Sequence, residues 1–296
     1  MLSMKGLSKS YLFIAKLIFK LPRWLKNMIA KSIAVIVFDV FRFRRAIALN
    51  NISRVFPEWS NKKKRRIARQ SIQTQGFQLI DFFSLPFLDK KWVEEHLVFD
   101  GWENHEKAQA LGKGVLFLGL HLGNGELALG GMALKGLPLT LIGKNMRNKK
   151  INNILYSSRA ATGLQFIPPH GKTTAMQILK GLKEGKSIIF ILDQHIYPPY
   201  GVATTFFGHH VGTGFGLALF AMKTGAPVLP LHTFRDQNGK NHVVFGEPIP
   251  FTHAENREQT LKTMTQKYNH VLEETIQKYP GQWMWIHKRW KPFPVD

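Results

Sequence analysis

The sequence has no cysteine among its 296 residues, which excludes disulfide bonds, thiolate metal sites and a cysteine nucleophile. It also has no uncharged apolar run of about 18 residues, the length that a helix needs to cross a bilayer. The sequence therefore gives no clear transmembrane helix, and peripheral attachment and a single membrane anchor both stay open. No small-residue cleavage site follows a clean apolar stretch, and a cleaved signal peptide is therefore not expected either.

Acidic residues are scarce. Lys and Arg number 41 against 19 Asp and Glu, a formal net charge of +22. Such a surface attracts polyanions, and the candidates are nucleic acid, anionic lipid, an acidic protein or a phosphorylated substrate. Apolar residues make up 44% of the chain, which is ordinary for a globular protein and argues against a polytopic membrane protein.

Residues 1–49 are rich in Leu, Ile and Phe, and nearly every interruption is Lys or Arg. Pro22 divides the segment, and Trp24 adds an aromatic side chain of the kind that favours membrane interfaces. This composition predicts basic amphipathic helices that associate with an anionic membrane. The alternative is that they pack on the protein's own core, and the two are compatible. We therefore predict a membrane-associating segment at 1–49 and an α/β domain at 50–296.

Beyond Val98, apolar strand-like runs alternate with helix-like segments that end at Gly or Pro. The predicted strands are Val115–Leu120, Leu139–Ile142, Gln165–Ile167, Ser187–Leu192, Val228–Leu231 and His242–Phe245. The predicted helices are Glu126–Lys135, Lys149–Ala161, Thr173–Lys183, Phe215–Lys223 and Arg257–Lys278, preceded by a long helix from about Asn61 to Phe83. This alternation predicts an α/β fold with a mostly parallel sheet flanked by helices.

The most informative stretch is VLFLGLHLGNGELALG, residues 115–130, which predicts a strand, a tight turn and a helix start. Asn124 has the position of a helix N-cap. His121 falls at the carboxyl end of the strand, where open α/β sheets place their ligand crevices. Glu126 falls in the first helical turn, where the helix dipole favours a carboxylate.

We expect His121 and Glu126 to face each other across this bend, so that Glu126 orients the imidazole while its other nitrogen takes a proton from a substrate hydroxyl. The stretch contains no Ser or Cys nucleophile, so the chemistry indicated is direct attack by an activated alcohol. The alternative is a structural histidine at a strand end. Backbone amides near Gly123 and Gly125 are candidate donors to an oxyanion.

Asp193 and Gln194 directly follow another predicted strand, and they share the rim of His121 if the two strands are parallel. The alternative for Asp193 is a cap or turn residue. The long loop that follows has the composition of a lid or a binding loop. Arg159, on a helix between two rim strands, either clamps a phosphate or is surface charge.

Three other features have competing interpretations. The glycines at 212–216 do not predict a nucleotide loop, because no strand is predicted directly before them and no Gly-Lys-Ser/Thr follows. His209 and His210 lack a third nearby ligand, so we expect no metal site. The aromatic and basic C-terminal run, residues 282–293, suits a membrane interface, a nucleic-acid stacking platform, or a tail docked on the core with snorkelling cations.

From about Arg45 onward the chain resembles the late acyltransferases of lipid A biosynthesis, within the broader lysophospholipid acyltransferase group. The segments that carry the resemblance are VFPEWS (55–60), GVLFLGLHLGNGE (114–126), the 148–159 helix ending in SSR, ILDQ (191–194), TTFFG (204–208), FAMKTGAPVLP (220–230) and GQWMWIHKRWK (281–291).

The resemblance implies transfer of an acyl group from acyl carrier protein to a hydroxyl of a phosphorylated, glucosamine-based lipid A precursor at the cytoplasmic face of the bacterial inner membrane. It implies His121 as general base with Glu126 as its partner. Asn124, Arg159, Asp193 and Gln194 would hold the substrate or the reacting geometry. It implies no metal and no nucleotide cofactor; the partners would be the carrier protein, the lipid and an anionic membrane surface, with no nucleic acid.

The chain departs from the family pattern at Gly125, where an aromatic residue is common, and at His195 and the Tyr197–Pro199 stretch. These departures leave open a relative that transfers a hydroxyacyl or aminoacyl group, or that uses another lipid acceptor. Two rival functions are a basic nucleic-acid-binding protein and a non-catalytic membrane scaffold. Against the first, the sequence has no helix-turn-helix, zinc or RNA-recognition motif.

Overall fold

The computed structural model describes residues 6–143, 145–169 and 171–294. Its α-helices are α1 (Lys9–Lys20), α2 (Arg23–Val35), α3 (Arg45–Val55), α4 (Asn61–Phe82), α5 (Lys90–His96), α6 (Trp102–Gln109), α7 (Gly125–Leu134), α8 (Lys149–Ala160), α9 (Thr174–Lys183), α10 (Gly216–Thr224) and α11 (Arg257–Lys278). Its strands are β1 (Leu97–Asp100), β2 (Val115–Gly119), β3 (Leu139–Ile142), β4 (Gln165–Ile167), β5 (Ser187–Ile191), β6 (Gly201–Phe206), β7 (His209–Gly214), β8 (Val228–Arg235) and β9 (Asn241–Phe245).

Seven strands form the main sheet in the order β1-β9-β8-β2-β5-β3-β4. Every neighbouring pair is parallel except β8 and β9, so the predicted, mostly parallel sheet is confirmed. Alternate residues of β2 enter different apolar clusters: Leu116 and Leu118 pack on the side of α9 to α11, and Val115 and Phe117 on the side of α7. Helices therefore cover both faces, as the continuous apolar character of the strand indicates.

The pairing of β2 with β5 determines where the polar residues at the rim lie. Gly119 is in register with Ile191, and each strand ends at that residue. His121 and Asp193 each lie two residues further along parallel strands, so both side chains reach the same edge of the sheet.

The chain between β5 and α10, predicted as an open loop, instead contains the antiparallel hairpin β6–β7. The hairpin packs on α11, where Asn269 donates hydrogen bonds to Thr204 Oγ1 and to the Thr205 carbonyl. The statement that no strand precedes the glycines at 212–216 was wrong, because β7 extends through Gly214. Small and polar residues form most of the two strands, so the apolar alternation that predicts strands is absent.

One side of the N-terminal helices packs on the rest of the protein. Ala30, Ala34 and Phe38 are buried, and at Gly76 of α4 a Cβ atom would lie 3.3 Å from the Ala30 carbonyl oxygen. The other side leaves large apolar side chains exposed: Phe13, Ile14, Leu17, Trp24, Met28, Val40, Phe41 and Phe43. Residues 1–5 of the predicted segment lie outside the described residues, and its membrane association and its boundary at residue 49 stay predictions.

Among the helices that the structure describes, none combines the length and the apolar character that a bilayer crossing requires.

The C-terminal run docks on the core. Trp283 and Trp285 are 1% and 0% exposed, so the interpretations as a membrane belt or a stacking platform are wrong for these two indoles. Arg289 does not snorkel either, because its side chain is fully buried. Its guanidinium donates to the carbonyl oxygens of Gln194 (2.8 Å) and Gly212 (2.9 Å), which compensates the cost of burying the charge.

Candidate active site

His121 and Asp193 form a hydrogen-bonded pair at the carboxyl edge of the sheet. His121 Nδ1 lies 2.8 Å from Asp193 Oδ1, and the backbone N–H of His121 donates to Asp193 Oδ2 at 2.9 Å. One carboxylate therefore holds both the backbone and the ring of His121. This arrangement is typical of a general base whose second nitrogen is kept for substrate.

The second nitrogen of His121 is on the open side of the pair. The side chain of His121 is 34% exposed, whereas that of Asp193 is 2% exposed. The side-chain nitrogen of Gln194 lies 3.4 Å from His121 Nε2 and donates toward it. The structure thus brings His121, Asp193 and Gln194 together, and Nε2 is the atom that a substrate hydroxyl can approach.

The two members of the pair shift each other's pKa in opposite directions. Burial alone would lower the pKa of His121, but the charge and hydrogen bond of Asp193, together with the charge of Glu126, raise it above its ordinary value. Burial would raise the pKa of Asp193, but the charge of His121, its two hydrogen bonds and one from Trp283 lower that pKa to about 2. Asp193 is therefore ionised at neutral pH.

The C-terminal run fixes this pair from behind. Trp283 Nε1 donates to Asp193 Oδ2 at 2.7 Å, and the backbone N–H of Met284 donates to the His121 carbonyl at 3.1 Å. Leu122 forms an isolated bridge with Trp283. The indole of Trp283 gives Asp193 Oδ2 a second donor beside the His121 N–H, which helps to compensate for the hydration lost on burial.

The turn after His121 depends on two residues. Gly123 has φ +64°, and a Cβ there would overlap the Thr233 carbonyl, so both the conformation and the space require glycine. The predicted N-cap is confirmed, because Asn124 Oδ1 accepts from the Leu127 N–H at 3.2 Å. The side-chain nitrogen of Asn124 donates to Asp81 Oδ2 at 2.7 Å. Both ends of Asn124 thus bond within the chain, and its role in substrate binding stays a prediction.

Glu126 does not make the hydrogen bond expected of it. Its carboxylate binds the guanidinium of Arg159 through two nitrogens, with Arg159 Nε at 2.9 Å, while the ring of His121 is bonded to Asp193. The carboxylate that orients the ring is that of Asp193, 72 residues from His121 in sequence. Glu126, in the first turn of α7, instead faces Arg159 of α8. The Glu126–His121 hydrogen bond was therefore a wrong expectation, although the charge of Glu126 still raises the pKa of His121.

Arg159 is likewise engaged within the protein. Its side chain is 15% exposed and that of Glu126 is 9% exposed, so this is a largely buried, two-point ion pair. The pair connects α7 to α8 directly behind the His121 turn. A contact between Arg159 and substrate stays a prediction.

Asp81 was not predicted from the sequence, yet it accepts a hydrogen bond from Asn124 in the turn after His121. Burial raises the pKa of Asp81 to about 6, although the charges of Lys26, Arg235 and Arg23 and the hydrogen bond from Asn124 act to lower it. Within the described residues, Asp81 forms no ion pair shorter than 4.0 Å with any of these cations. A single acidic residue near the end of a long helix gives no sequence signal of such a role.

Two apolar cavities are each lined in part by a residue named above or by its neighbour in sequence. The first has a volume of about 460 Å³ and contains Glu126 in its wall; its apolar lining is Leu79, Phe82, Phe83, Ile151, Ile154 and Leu155. The second has a volume of about 300 Å³ and includes Leu192, the neighbour of Asp193, together with Ile142, Ile178, Phe190, Phe215 and Phe220. Both have the lining that a hydrocarbon chain requires.

The described residues contain no group of three His, Asp or Glu side chains placed to bind a metal ion. His209 and His210 lie in β7 as neighbours in sequence, so their side chains point to opposite faces of the hairpin.

A family model described as bacterial lipid A biosynthesis acyltransferase matches residues 5–292. The chain belongs to this family. The match spans nearly the entire chain, from the N-terminal helices to the docked C-terminal run, and it confirms the resemblance on which the sequence prediction depended.

Individual relatives of this lipid A acyltransferase family member are distant. The chain is similar to the lipid A biosynthesis palmitoleoyltransferase of Escherichia coli, 24% identical over 85% of this chain and 80% of that protein. It is similar to a phosphatidylinositol mannoside acyltransferase of Mycobacterium tuberculosis, 20% identical over 74% and 69%. The solved structure of the 1-acyl-sn-glycerophosphate acyltransferase PlsC from Thermotoga maritima aligns over 88% of this chain and 99% of that one, with 16% identity and a TM-score of 0.39.

Proposed function

We propose that this acyltransferase moves an acyl chain from acyl carrier protein to a hydroxyl of a lipid A precursor. The observation that carries the proposal is the His121–Asp193 pair at the rim of the sheet, in which Asp193 bonds to Nδ1 and the side chain of His121 is 34% exposed. Membership of the family supplies the reaction class, and the residues supply the chemistry.

In the proposed reaction, His121 Nε2 removes the proton of the acceptor hydroxyl as its oxygen attacks the thioester carbonyl. The thiolate of the carrier then leaves and takes up that proton from the imidazolium. Asp193 holds the ring and stabilises its charged form, as the raised pKa of His121 requires. The thioester is already activated, so positioning and oxyanion stabilisation account for the rest of the rate.

Two of the amides expected to stabilise the oxyanion are already bonded. The amide of Gly123 donates to the Gln282 carbonyl and that of Asn124 to Thr233 Oγ1, so neither is available, whereas the amide of Gly125 stays a candidate. We propose the side-chain amide of Gln194, which lies beside His121 Nε2, as one donor. Glu126 and Arg159 act together in this proposal: they hold α7 against α8, and the Glu126 charge favours the imidazolium.

The remaining partners follow from charge and apolar surface. An acidic carrier protein and a phosphorylated lipid are both attracted to a chain of net charge +22. The exposed apolar side of the N-terminal helices supports attachment to the cytoplasmic face of the inner membrane. We propose that no metal or nucleotide cofactor takes part.

A second acceptor class is favoured by one finding. A relative named for acylation of phosphatidylinositol mannoside covers 74% of this chain, so a different phosphorylated glycolipid is the alternative acceptor. Transfer of a hydroxyacyl or aminoacyl group is the corresponding alternative for the donor.

The test uses purified full-length protein with acyl carrier thioesters and a lipid A precursor, and mass spectrometry of the lipid product. We expect one added acyl mass, and its loss in His121→Ala with the fold retained by circular dichroism. His253→Ala, at an exposed histidine, is the matched control and should keep wild-type turnover. Wild-type turnover in His121→Ala would contradict the mechanism. No product with any carrier thioester would contradict the donor assignment.

A further inference from the structure

A group of basic side chains lies near the His121–Asp193 pair and has no role in the reaction described above. The C-terminal run crosses behind the pair, from Met284, which donates to the His121 carbonyl, to Arg289, which donates to the Gln194 carbonyl. His287 lies between these two anchor points, so the run holds its side chain close to the pair.

Arg44 joins this region from a different part of the chain. Its Nη1 donates to the carbonyl of Ile286 at 3.3 Å, directly before His287. Arg44 and the nearby Arg42 both have positive φ values, +50° and +51°, although neither is glycine. Strained backbone of this kind is found preferentially at functional positions, where the surrounding structure holds it.

Lys291 reaches the same region from the other side. Its ammonium lies 5.8 Å from the ring centre of Tyr197, which contacts the ring of His195, the residue after Gln194. Arg44, His287 and Lys291 are named here the basic cluster. They are brought together by the C-terminal run and the loop that follows β5.

The charges that act on His287 are consistent with a basic cluster beside the pair. Burial lowers the pKa of His287 first; the charges of His121, Lys291 and Arg44 lower it further, and the only charge that raises it is that of Asp193. Among the described residues, neither Arg44 nor Lys291 forms an ion pair with a carboxylate. Positive charge thus accumulates beside a single carboxylate that His121 and Trp283 already occupy.

Such an accumulation is unfavourable in the free protein and is relieved by an anion. Arg44 bonds to the residue before His287, and Lys291 follows His287 in the same run; arginine and lysine are the donors that bind phosphate oxygens. We propose that the basic cluster of Arg44, His287 and Lys291 binds a phosphate group of a substrate and thereby places the reacting atoms at His121 Nε2.

This inference rests on the proposed function for the identity of the substrate. A phosphate ester is present both on the sugar of the lipid acceptor and in the phosphopantetheine arm of the carrier, and the chemistry of the site is the same for either. The test therefore needs separate measurements for the two sources, and one measurement that does not depend on activity.

The measurement without activity uses inorganic phosphate, titrated at constant ionic strength against chloride and followed by line broadening in phosphorus NMR. We expect saturable binding to the wild type, weakened about tenfold in Arg44→Gln and in Lys291→Gln, since a charge-assisted hydrogen bond contributes at least about that much. Lys288→Gln is the matched control: Lys288 is exposed on the same run and is not among the charges acting on His287. Binding that is absent, or equally weakened in all three variants, would overturn the proposal.

The activity measurements compare substrates with and without the phosphate. One compares the lipid acceptor with its dephosphorylated form, and the other compares acyl-phosphopantetheine with acyl-pantetheine. In one of these two pairs, we expect Arg44→Gln to raise KM for the phosphorylated substrate and so lower kcat/KM about tenfold. The dephosphorylated substrate of the same pair should show no such loss. Arg44→Lys, which keeps the charge, should recover part of the loss.

Equal losses with and without phosphate in both pairs would overturn the phosphate site while leaving the acyl transfer intact. Conversely, a wild type that binds phosphate but transfers no acyl group would contradict the proposed function and leave the site standing.

Discussion

At the scale of single residues, the state of His121 depends on which carboxylate it contacts. Sequence spacing favoured Glu126, five positions away, whereas the structure uses Asp193, 72 positions away. The difference matters chemically because Asp193 bonds to the ring itself, while Glu126 acts only through its charge. Asp193 is also the more buried carboxylate, so its interaction with the imidazolium is less screened.

The pair makes the stability of the protein depend on pH in a defined direction. The pKa of Asp193 is about 2 when folded against 3.8 ordinarily, so its stabilising contribution is complete above pH 3.8 and is lost as pH falls toward 2. His121 has a raised pKa, so its contribution is complete below pH 6.5 and is lost as pH rises through the folded pKa.

We therefore predict that Asp193→Asn lowers the free energy of unfolding most near pH 5, between these two limits. Urea unfolding of both proteins from pH 3 to pH 8 measures the difference. The difference in the free energy of unfolding should be smaller at pH 3 and at pH 8 than near pH 5. A difference that does not vary with pH would show that the lost interaction is not ionic.

At the scale of elements, the strand, turn and helix of residues 115–130 could be predicted almost completely. The apolar run, Gly123 and the cap Asn124 each have a local physical reason, and the structure confirms the strand to within one residue. The shared rim of His121 and Asp193 could be predicted from the parallel strands, and the register of β2 on β5 brings the two residues together. Asp81 and Trp283 could not be predicted as partners of this turn, because they come from α4 and from the docked C-terminal run.

The contact between α4 and the turn gives a prediction whose size depends on pH. Asn124→Asp keeps the oxygen that caps α7 but replaces the donor to Asp81 with a second carboxylate. Because burial raises the pKa of Asp81 to about 6, we expect Asn124→Asp to lower Tm strongly at pH 8, where both groups are charged.

At pH 5 Asp81 is largely protonated and can donate to the new carboxylate, so the loss in Tm should be smaller. Asn124→Ala provides the control, since it removes the cap, at a cost of about 1 kcal/mol, without adding charge. Its loss in Tm should vary less between the two pH values. If Asn124→Asp lowers Tm equally at pH 5 and at pH 8, Asp81 is not the group that faces residue 124.

At the scale of the whole molecule, the fold class could be predicted from the sequence. Which of the aromatic and basic segments are buried and which are exposed could not be predicted. The C-terminal run and the N-terminal segment have similar aromatic and basic composition. Burial separates them: Trp283 and Trp285 are in the core, whereas Trp24 and Phe41 are 65% and 74% exposed. Composition does not encode which side of an amphipathic element finds a partner within the chain.

We predict that the exposed apolar side of the N-terminal helices binds anionic vesicles. Phe41→Ser should weaken binding about tenfold, since a buried Phe side chain contributes about 1.5–3 kcal/mol. Added salt should weaken binding further by screening the basic residues. Co-sedimentation with vesicles of phosphatidylglycerol and phosphatidylethanolamine measures both effects. Leu111→Ser, at a side chain that is 61% exposed elsewhere, is the matched control; equal binding by both variants would contradict this assignment.

The central claim, that His121 acts as the base while Asp193 holds its ring, is tested most directly by the pH dependence of kcat/KM for acyl transfer. Because Asp193 and Glu126 raise the pKa of His121 above 6.5, the wild-type rate should rise with pH through an apparent pKa above that value. In Asp193→Asn the residual rate should be lower by a factor of about 10²–10⁴, and its rising limb should move to lower pH. A wild-type profile that is flat from pH 5 to pH 8, or a limb that Asp193→Asn leaves in place, would contradict the account.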